Sequence, residues 1–448
     1  MKPRILLVNP AIYDFAAYDF WLKPYGMLSA AGQLRGKAEF LLFDYLDRLH
    51  SFYSGRSGVS DTPNPKFEIS DRWGRGRFFN EKITNPPCLQ KIPRFFRRFG
   101  LPRELFRQFL ESNEACDFVF VATTMTYWYP GVQEVIEDVR KAWPAAKIVL
   151  GGNYVTLCQS HAEKLNADFL VIGRELEPLW KYVGIEPDTN QPALWEAYPK
   201  LKAGVLKLSD GCPFNCTYCS VPKVYGGFRP RPLERVLNEF ELLVKLGAEN
   251  IAFYDDALLF DAEHVLIPFL KEVIKQRNKG TDVNFHTPNA LNARFITKEV
   301  AELMVAAGFK TFFIGFESAS AQWQEKTGGK VYSSELKDAA GFLQRAGVSG
   351  ENITVYQILG HPFGDIQELE DSMRFANSLG VRGMLADFSP VPGTPDGDYC
   401  SRWVDLNEPL MHNKTAFPII LMGFDETNRL KDLQRKLNRT IDNPPQAS

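Results

Sequence analysis

Residues 209–227 read SDGCPFNCTYCSVPKVYGG, and the runs on either side are organised around them. Cys212, Cys216 and Cys219 stand in a C-x3-C-x2-C array. That spacing is too tight for a disulfide framework and suits one compact metal site. Thiolates are soft ligands that favour zinc, copper(I) or iron–sulfur clusters. A structural zinc takes four protein ligands, and no fourth Cys or His stands near these three. On a [4Fe–4S] cluster, three thiolates leave one iron open for a substrate or cofactor. A zinc knuckle is the alternative that the spacing leaves standing.

The whole chain sets the bounds. Its 448 residues are enough for two or three domains. Hydrophobic residues make up 45% and charged residues 24%, the balance of an ordinary globular protein. A formal net charge of −2 gives no global electrostatic case for nucleic acid or an acidic membrane. No apolar run reaches the roughly 18 residues of a membrane span. The start, MKPRILLVNPAIYDF, breaks at Asn9-Pro10 and reads as a first strand rather than a signal peptide. Seven cysteines, an odd number, point to the reducing cytosol. Cys88, Cys116, Cys158 and Cys400 are scattered and read as buried small hydrophobes.

The array resembles the signature of the radical SAM superfamily, C-x3-C-x-aromatic-C, with Tyr218 in the aromatic position. The resemblance implies that the open iron chelates the amino and carboxylate groups of S-adenosylmethionine (SAM). It implies further that one electron cleaves the sulfonium to methionine and a 5′-deoxyadenosyl radical, which abstracts hydrogen. An anaerobic, cytoplasmic setting and a low-potential electron donor such as ferredoxin or flavodoxin follow from the same resemblance.

Residues 198–398 repeat a strand–helix pattern six times. Strands are expected at Val205–Leu208, Asn250–Tyr254, Val283–Thr287, Thr311–Phe316, Ile353–Leu359 and Met384–Ser389. Thr297 and Asp365 are plausible helix N-caps. Gly247, Gly308, Gly347 and Gly380 each follow a helix, as C-terminal caps do. Six βα units suggest a partial barrel, in agreement with the (β/α)6 core of the resembled family. Active sites on such barrels gather at the carboxyl ends of the strands, and the cysteine loop follows the first one. The resemblance then makes the other strand ends candidate SAM contacts. These are Asp255 and Asp256 after the second strand, and Glu317 and Ser318 in Gly-Phe-Glu-Ser after the fourth. Gly360 lies after the fifth, in Gly-His-Pro-Phe-Gly, which resembles the family's Gly-x-Pro-Gly loop with His361 at the open position and Phe363 before the Gly, and Pro390 lies after the sixth. His286 reads equally as a substrate contact or a packed core histidine.

Residues 1–195 alternate strands and helices as a doubly wound, Rossmann-like parallel sheet does. Strands are expected at Arg4–Val8, Glu39–Phe43, Asp117–Ala122, Lys147–Leu150 and Asp168–Ile172. This half resembles the cobalamin-binding-type domain that precedes many radical SAM cores. The likeness rests on the Val-Asn-Pro start, the Thr-Met-Thr segment and the pair Gly151-Gly152, which would admit a flat ligand. It departs in lacking the Asp-x-His-x-x-Gly motif whose His ligates cobalt. Cobalamin, and with it methyl transfer to an unactivated centre, is the expectation. A cobalamin-independent radical modification and a non-catalytic metal-binding scaffold are the alternatives.

An insertion, 49–116, reads as irregular, with a loop at Ser54–Asn64. Lys91, Arg94, Arg97, Arg98, Arg103 and Arg107 read as a solvated basic face, or as a clamp for an anion. Tyr127-Trp128-Tyr129 reads as a stack for a planar ligand or a roof over an interface. Residues 399–448 read as a C-terminal helical extension, with a helix over Thr427–Arg439 and a frayed end over Asp442–Ser448. No cysteine group for a second cluster stands out, which argues against a two-cluster thiomethyltransferase.

Overall fold

The computed structural model describes residues 2–53 and 70–442. The loop expected at Ser54–Asn64 and the fraying expected over Asp442–Ser448 fall outside that range, except Asp442, which ends the last helix. The chain divides into two compact units. One comprises Met1–Gly204, Glu241–Ala248 and Asp405–Asn413; the other comprises Val205–Phe240, Glu249–Val404 and Lys414–Ser448.

The first unit runs β1 (Arg4–Asn9), β2 (Ile12–Asp14), α1 (Tyr25–Gly32), β3 (Glu39–Asp44), β4 (Asn80–Ile83), β5 (Phe96–Phe99) and α2 (Arg103–Ser112). It continues through β6 (Phe118–Thr123), α3 (Tyr129–Ala142), β7 (Lys147–Gly152), α4 (Asn153–Leu157), α5 (Gln159–Ala162), β8 (Phe169–Val171) and α6 (Glu177–Val183). Five strands form a parallel sheet in the order β3-β1-β6-β7-β8. The strand order reverses between β1 and β6, the switch point of a doubly wound fold. Ile5, Leu6, Leu7 and Val8 are wholly buried, as a strand covered on both faces requires. On α3 the buried face holds Val132, Val135, Ile136 and Val139, the residues at helical spacing.

The insertion is more ordered than its sequence suggests. β4 and β5 pair antiparallel, and β2 adds to the other edge of β5. The basic residues there are neither a clamp nor a solvated face as a group. The Arg98 guanidinium is buried and bidentate on Glu134 of α3, at 2.6 and 2.9 Å. Tyr13 on β2 donates to the same carboxylate at 2.6 Å. Arg103 and Arg107 both reach Asp138, one turn further along α3. The short sheet is therefore tied to α3 by charge at Arg98 and Tyr13, while Ile12 and Phe99 bury their side chains in an apolar cluster with Leu46 and Phe78.

The second unit begins within β9 (Ala203–Leu206) and β10 (Ser209–Asp210), and continues α7 (Val221–Val224), β11 (Arg229–Pro230), α8 (Leu233–Lys245), β12 (Asn250–Phe253) and α9 (Leu266–Arg277). It goes on through β13 (Asn284–Asn292), α10 (Lys298–Ala307), β14 (Phe309–Glu317), α11 (Ala321–Thr327), α12 (Ser333–Arg345), β15 (Ile353–Leu359), α13 (Ile366–Ser378), β16 (Arg382–Asp387) and α14 (Pro395–Tyr399). Two helices close it, α15 (Ala416–Met422) and α16 (Phe424–Asp442). Six strands lie in sequential order, β9-β12-β13-β14-β15-β16, as an open sheet with β9 and β16 at its edges. Thr297 and Asp365 cap α10 and α13 with their side-chain oxygens. Gly247, Gly308, Gly347 and Gly380 all take positive φ. β13 outruns its expected end at Thr287 and reaches Asn292, with a register shift between Thr287 and Leu291. Pro288 sits inside that shift, where no ladder donor is needed.

α16 buries Leu430 in a cluster with Leu359, Leu369 and Met373. Its Asn438 exchanges two hydrogen bonds with the backbone of Gly383 on β16. Residues 405–413 belong instead to the first unit. There Glu408 accepts from the Tyr129 hydroxyl, His412 pairs with Thr126, and Asn413 donates to Asp14.

Glu134→Ala leaves the Arg98 cation buried without its partner. We expect a loss of about 3–5 kcal/mol in unfolding free energy, read as a lowered urea midpoint. Arg97→Ala on the same strand should change it little.

Candidate metal centre

The cysteine loop is fixed at its start by one buried carboxylate. Asp255, just beyond β12, accepts from the backbone N–H of Leu208 and Ser209 and from the Ser209 hydroxyl, at 2.6–2.9 Å. Asp255 is one of the strand-end residues expected to contact a cofactor. Its oxygens are taken up by the chain that leads into the loop. Gly211 follows with φ 73°, and a Cβ there would lie 2.5 Å from the carbonyl oxygens of Gly226 and Gly227. Only glycine permits that approach, which closes the loop on itself. Arg231 grips Asp210 with two hydrogen bonds, and Lys207 sits 3.0 Å from the same carboxylate. Burial pushes the Asp210 carboxyl up, but these two cations outweigh it and hold it at about 2.

Cys212, Cys216 and Cys219 are all unoxidised and partly buried. Burial raises each thiol, Cys219 to about 11; Cys212 also feels the charge of Cys216, and Cys219 that of both others. The Tyr218 hydroxyl bonds to Cys216 and draws that thiol back down. The Tyr218 ring stacks on Trp323 with centroids 5.9 Å apart. Among the described residues, no three His, Cys, Asp or Glu side chains converge as ligands of a single metal ion. Beside the thiols lies a pair missed by sequence reasoning. Lys330 donates to Glu317 at 3.1 Å, both largely buried. Burial pulls the Lys330 ammonium down, and Glu317 and the cysteines more than compensate, leaving it raised.

The remaining strand ends divide into two groups. Asp256 turns towards Lys207, 3.9 Å away, and its Oδ2 is buried without a hydrogen-bond partner. Burial raises its carboxyl to about 6, against the pull of Lys207. Ser318 is largely buried; its hydroxyl caps the turn to Ser320 and its carbonyl accepts from Gln324. Gly360 has a structural reason: a Cβ there would lie 2.7 Å from the Pro418 side chain of α15. Pro390 is buried beyond β16. His286 is a core histidine, wholly buried between Thr311 and Asn250.

His361 is tied into the loop. It bonds to Asp396 at 2.9 Å, and Asp396 accepts in turn from the Thr217 hydroxyl. Trp323 donates to the other His361 ring nitrogen at 3.4 Å. Gly393 passes so near Lys223 of α7 that any Cβ would displace its ammonium. Thr217, Trp323, Lys330 and Asp396 carry no local motif. Only their long-range pairing identifies them.

In the first unit, Gly152 has φ 128°, and a Cβ there would meet the Thr123 carbonyl of β6 at 2.0 Å. Gly151 faces Val171 on β8 at ordinary contact distance. Strand packing thus accounts for Gly152, whereas at Gly151 it leaves room for a side chain. Tyr127 is buried, Trp128 donates to Asp14, and Tyr129 packs edge-on to His161 at 4.5 Å. Of the scattered cysteines, Cys116 and Cys400 are buried as expected, whereas Cys88 is exposed.

Residues 206–376 match the family model of the radical SAM superfamily. The "Uncharacterized methyltransferase PH0819" of Pyrococcus horikoshii is 29% identical over 199 residues, 44% of this chain and 41% of that protein. The ribosomal protein uS12 methylthiotransferase RimO of Chlamydia abortus is 36% identical over 78 residues, 16% of this chain and 17% of that protein. The chain thus spans less than half the length of these relatives. Among solved structures, the radical SAM methyltransferase TsrM of Kitasatospora setae, with cobalamin and [4Fe–4S] cluster bound, aligns over 90% of this chain and 78% of its own. The TM-score is 0.64 at 15% identity. The cobalamin-dependent SAM radical enzyme OxsB aligns over 98% and 62%, with a TM-score of 0.56 at 14% identity. At these identities the likeness is one of fold. It bears out the expected α/β architecture, a doubly wound parallel sheet followed by the six-stranded parallel sheet that carries the radical SAM match. No helix among the described residues is long and apolar enough to cross a membrane.

Asp256 generates a pH prediction. Its carboxyl is raised from 3.8 to about 6 on folding. A raised acid stabilises the fold below its unfolded value, and that stability is lost as pH rises through its folded value. Asp256→Asn should therefore stabilise the protein at pH 7.5 by roughly 1–3 kcal/mol. The gain should disappear near pH 4, as read by urea unfolding at the two pH values.

Proposed function

Because residues 206–376 match the family model of the radical SAM superfamily, we propose that this chain is a radical SAM enzyme, binds a [4Fe–4S] cluster through Cys212, Cys216 and Cys219 and holds SAM beside it. One observation carries this: three mutually interacting thiols lie on the loop that follows the first strand of a six-stranded parallel sheet. The donor set fits the group. Thiolates suit iron–sulfur chemistry, and Asp256 Oδ2 is buried without a hydrogen bond, with the Lys207 ammonium 3.9 Å away. Bound there, the cluster and SAM would supply one-electron cleavage of the sulfonium, with methyl transfer or hydrogen abstraction as its outcome.

The chain's own residues orient and shield that site. Asp255 fixes the entry to the loop, and Asp396 fixes its middle through Thr217. Tyr218 and Trp323 wall one side with stacked rings that exclude water. Asp256, where ionised, offers a carboxylate to a cationic group, and Glu317 and Lys330 present a charge of each sign. An electron must enter from a low-potential carrier of the ferredoxin or flavodoxin kind. An anaerobic cytoplasm suits an open cluster.

The favoured reaction is cobalamin-dependent methyl transfer, supported by the fold shared with TsrM and OxsB. The second reading, a radical modification without cobalamin, is favoured by Gly152. The tight approach of that glycine to β6 accounts for it without a corrinoid.

Protein produced anaerobically with cobalamin supplied should show an iron–sulfur absorption band, and a stoichiometric corrinoid band if the favoured reaction holds. Iron–sulfur absorption without corrinoid selects the second reading. Cys216→Ala should lose most of its iron and all SAM cleavage to 5′-deoxyadenosine or S-adenosylhomocysteine. Full iron and full cleavage in that variant would sink the assignment.

A further inference from the structure

Lys330 is a buried cation brought against the cysteine loop by a device with several independent parts. The segment before it runs along the loop: the Thr217 N–H donates to the Thr327 carbonyl at 3.3 Å. Gly328 lies so near Cys216 that a Cβ would stand 3.3 Å from its Cα. Arg294 holds the Gly329 carbonyl at 2.8 Å. Lys330 Nζ then meets Glu317 Oε1 at 3.1 Å, over the end of β14. At Gly315 a Cβ would lie 2.8 Å from that Nζ and 3.0 Å from that Oε1, so the pair fills the space above a glycine.

Glu317 itself has φ 66°, a left-handed conformation that a glutamate rarely adopts. Such backbone strain persists where surrounding structure enforces it, and it gathers at functional sites. Here it coincides with a register shift between Gly315 and Glu317 in the pairing of β14 with β15. The strand is bent out of its ladder at the point where its carboxylate receives the ammonium.

Resting on the cluster reading above, we propose that Lys330 sets the charge of the metal centre. Its ammonium, fixed by Glu317, offsets the negative charge of the three thiolates and raises the potential at which the cluster accepts an electron. Adding an electron makes a thiolate-bound cluster more negative, and a nearby fixed cation favours that state. The electron comes from the one-electron carrier, which is oxidised as the cluster is reduced. Glu317 moderates the effect, because its own charge opposes that of Lys330.

The two members of the pair therefore act with opposite sign, which structural damage would not imitate. The test is a redox titration of full-length, anaerobically reconstituted protein, followed by electron paramagnetic resonance, with iron measured on each sample. Lys330→Met should shift the midpoint downward by at least a tenfold change in the reduction equilibrium, 59 mV for one electron. Glu317→Gln should shift it upward, and Lys330→Arg should stay near wild type. If Lys330→Met does not fold, Glu317→Gln decides alone: an upward shift sustains the proposal and an unmoved midpoint overturns it. Shifts of the same sign in both variants, or none in either at full iron content, also overturn it. A wild-type protein that takes up no cluster would refute the cluster reading instead, an outcome separable from failure of the charge proposal.

Discussion

The buried Asp255 carboxylate is the constraint on which the metal centre depends. A carboxylate taken from water is costly unless its lone pairs are satisfied, and here the donors are two backbone N–H groups and a hydroxyl at the mouth of the cysteine loop. The penalty of leaving any of these unpaired falls on both strand ends at once. β9 and β12 are therefore locked together where the loop departs, and the first cysteine follows within a few residues. Gly211 and the Arg231–Asp210 pair then turn the loop back towards its own far end.

A loop held at one end would not keep three thiols in a fixed relation. The middle is held by other strands. Thr217, between the second and third cysteines, is bonded through both its backbone and its hydroxyl to Asp396, beyond β16. Its N–H reaches Thr327 at the end of α11. His361, after β15, completes the clamp on Asp396. Burial raises the Asp396 carboxyl, and His361 and Thr217 pull it down to a net lowered value, so the clamp works with a charged acceptor. Each hold comes from a different βα unit, so the geometry of the loop reports the integrity of the sheet as a whole.

Much of this was legible in the sequence, for identifiable reasons. Parallel strands buried on both faces are continuous apolar runs, and Ile5–Val8 and Phe312–Phe316 announce themselves as such. Capping is local chemistry, so Thr297, Asp365 and the glycines after helices were readable without a fold. The antiparallel strands β4 and β5 were not readable. They are short, and β5 carries two arginines in its four residues, which in isolation suggest a solvated segment. What keeps Arg98 inside is Glu134, thirty-six residues away, and no local pattern announces such a partner. Asp255 illustrates the same limit from the other side. Its place at a strand end was legible, but the side to which its carboxylate turned was not.

The Glu317–Lys330 pair shows why a site is harder to read than a fold. Glu317 lay in a recognisable segment and invited a role as a direct contact. Its geometry makes it one half of an ion pair whose other half lies beyond α11, in a stretch, Thr-Gly-Gly-Lys, that reads as an ordinary helix stop. The two glycines that end α11 are also what let the chain turn back against Cys216. Helix termination and charge placement are thus accomplished by the same residues. Sequence patterns register the first, because it is local. The second emerges only when the loop, the strand end and the helix end are brought to one place, and there the buried lysine acquires its electrostatic meaning.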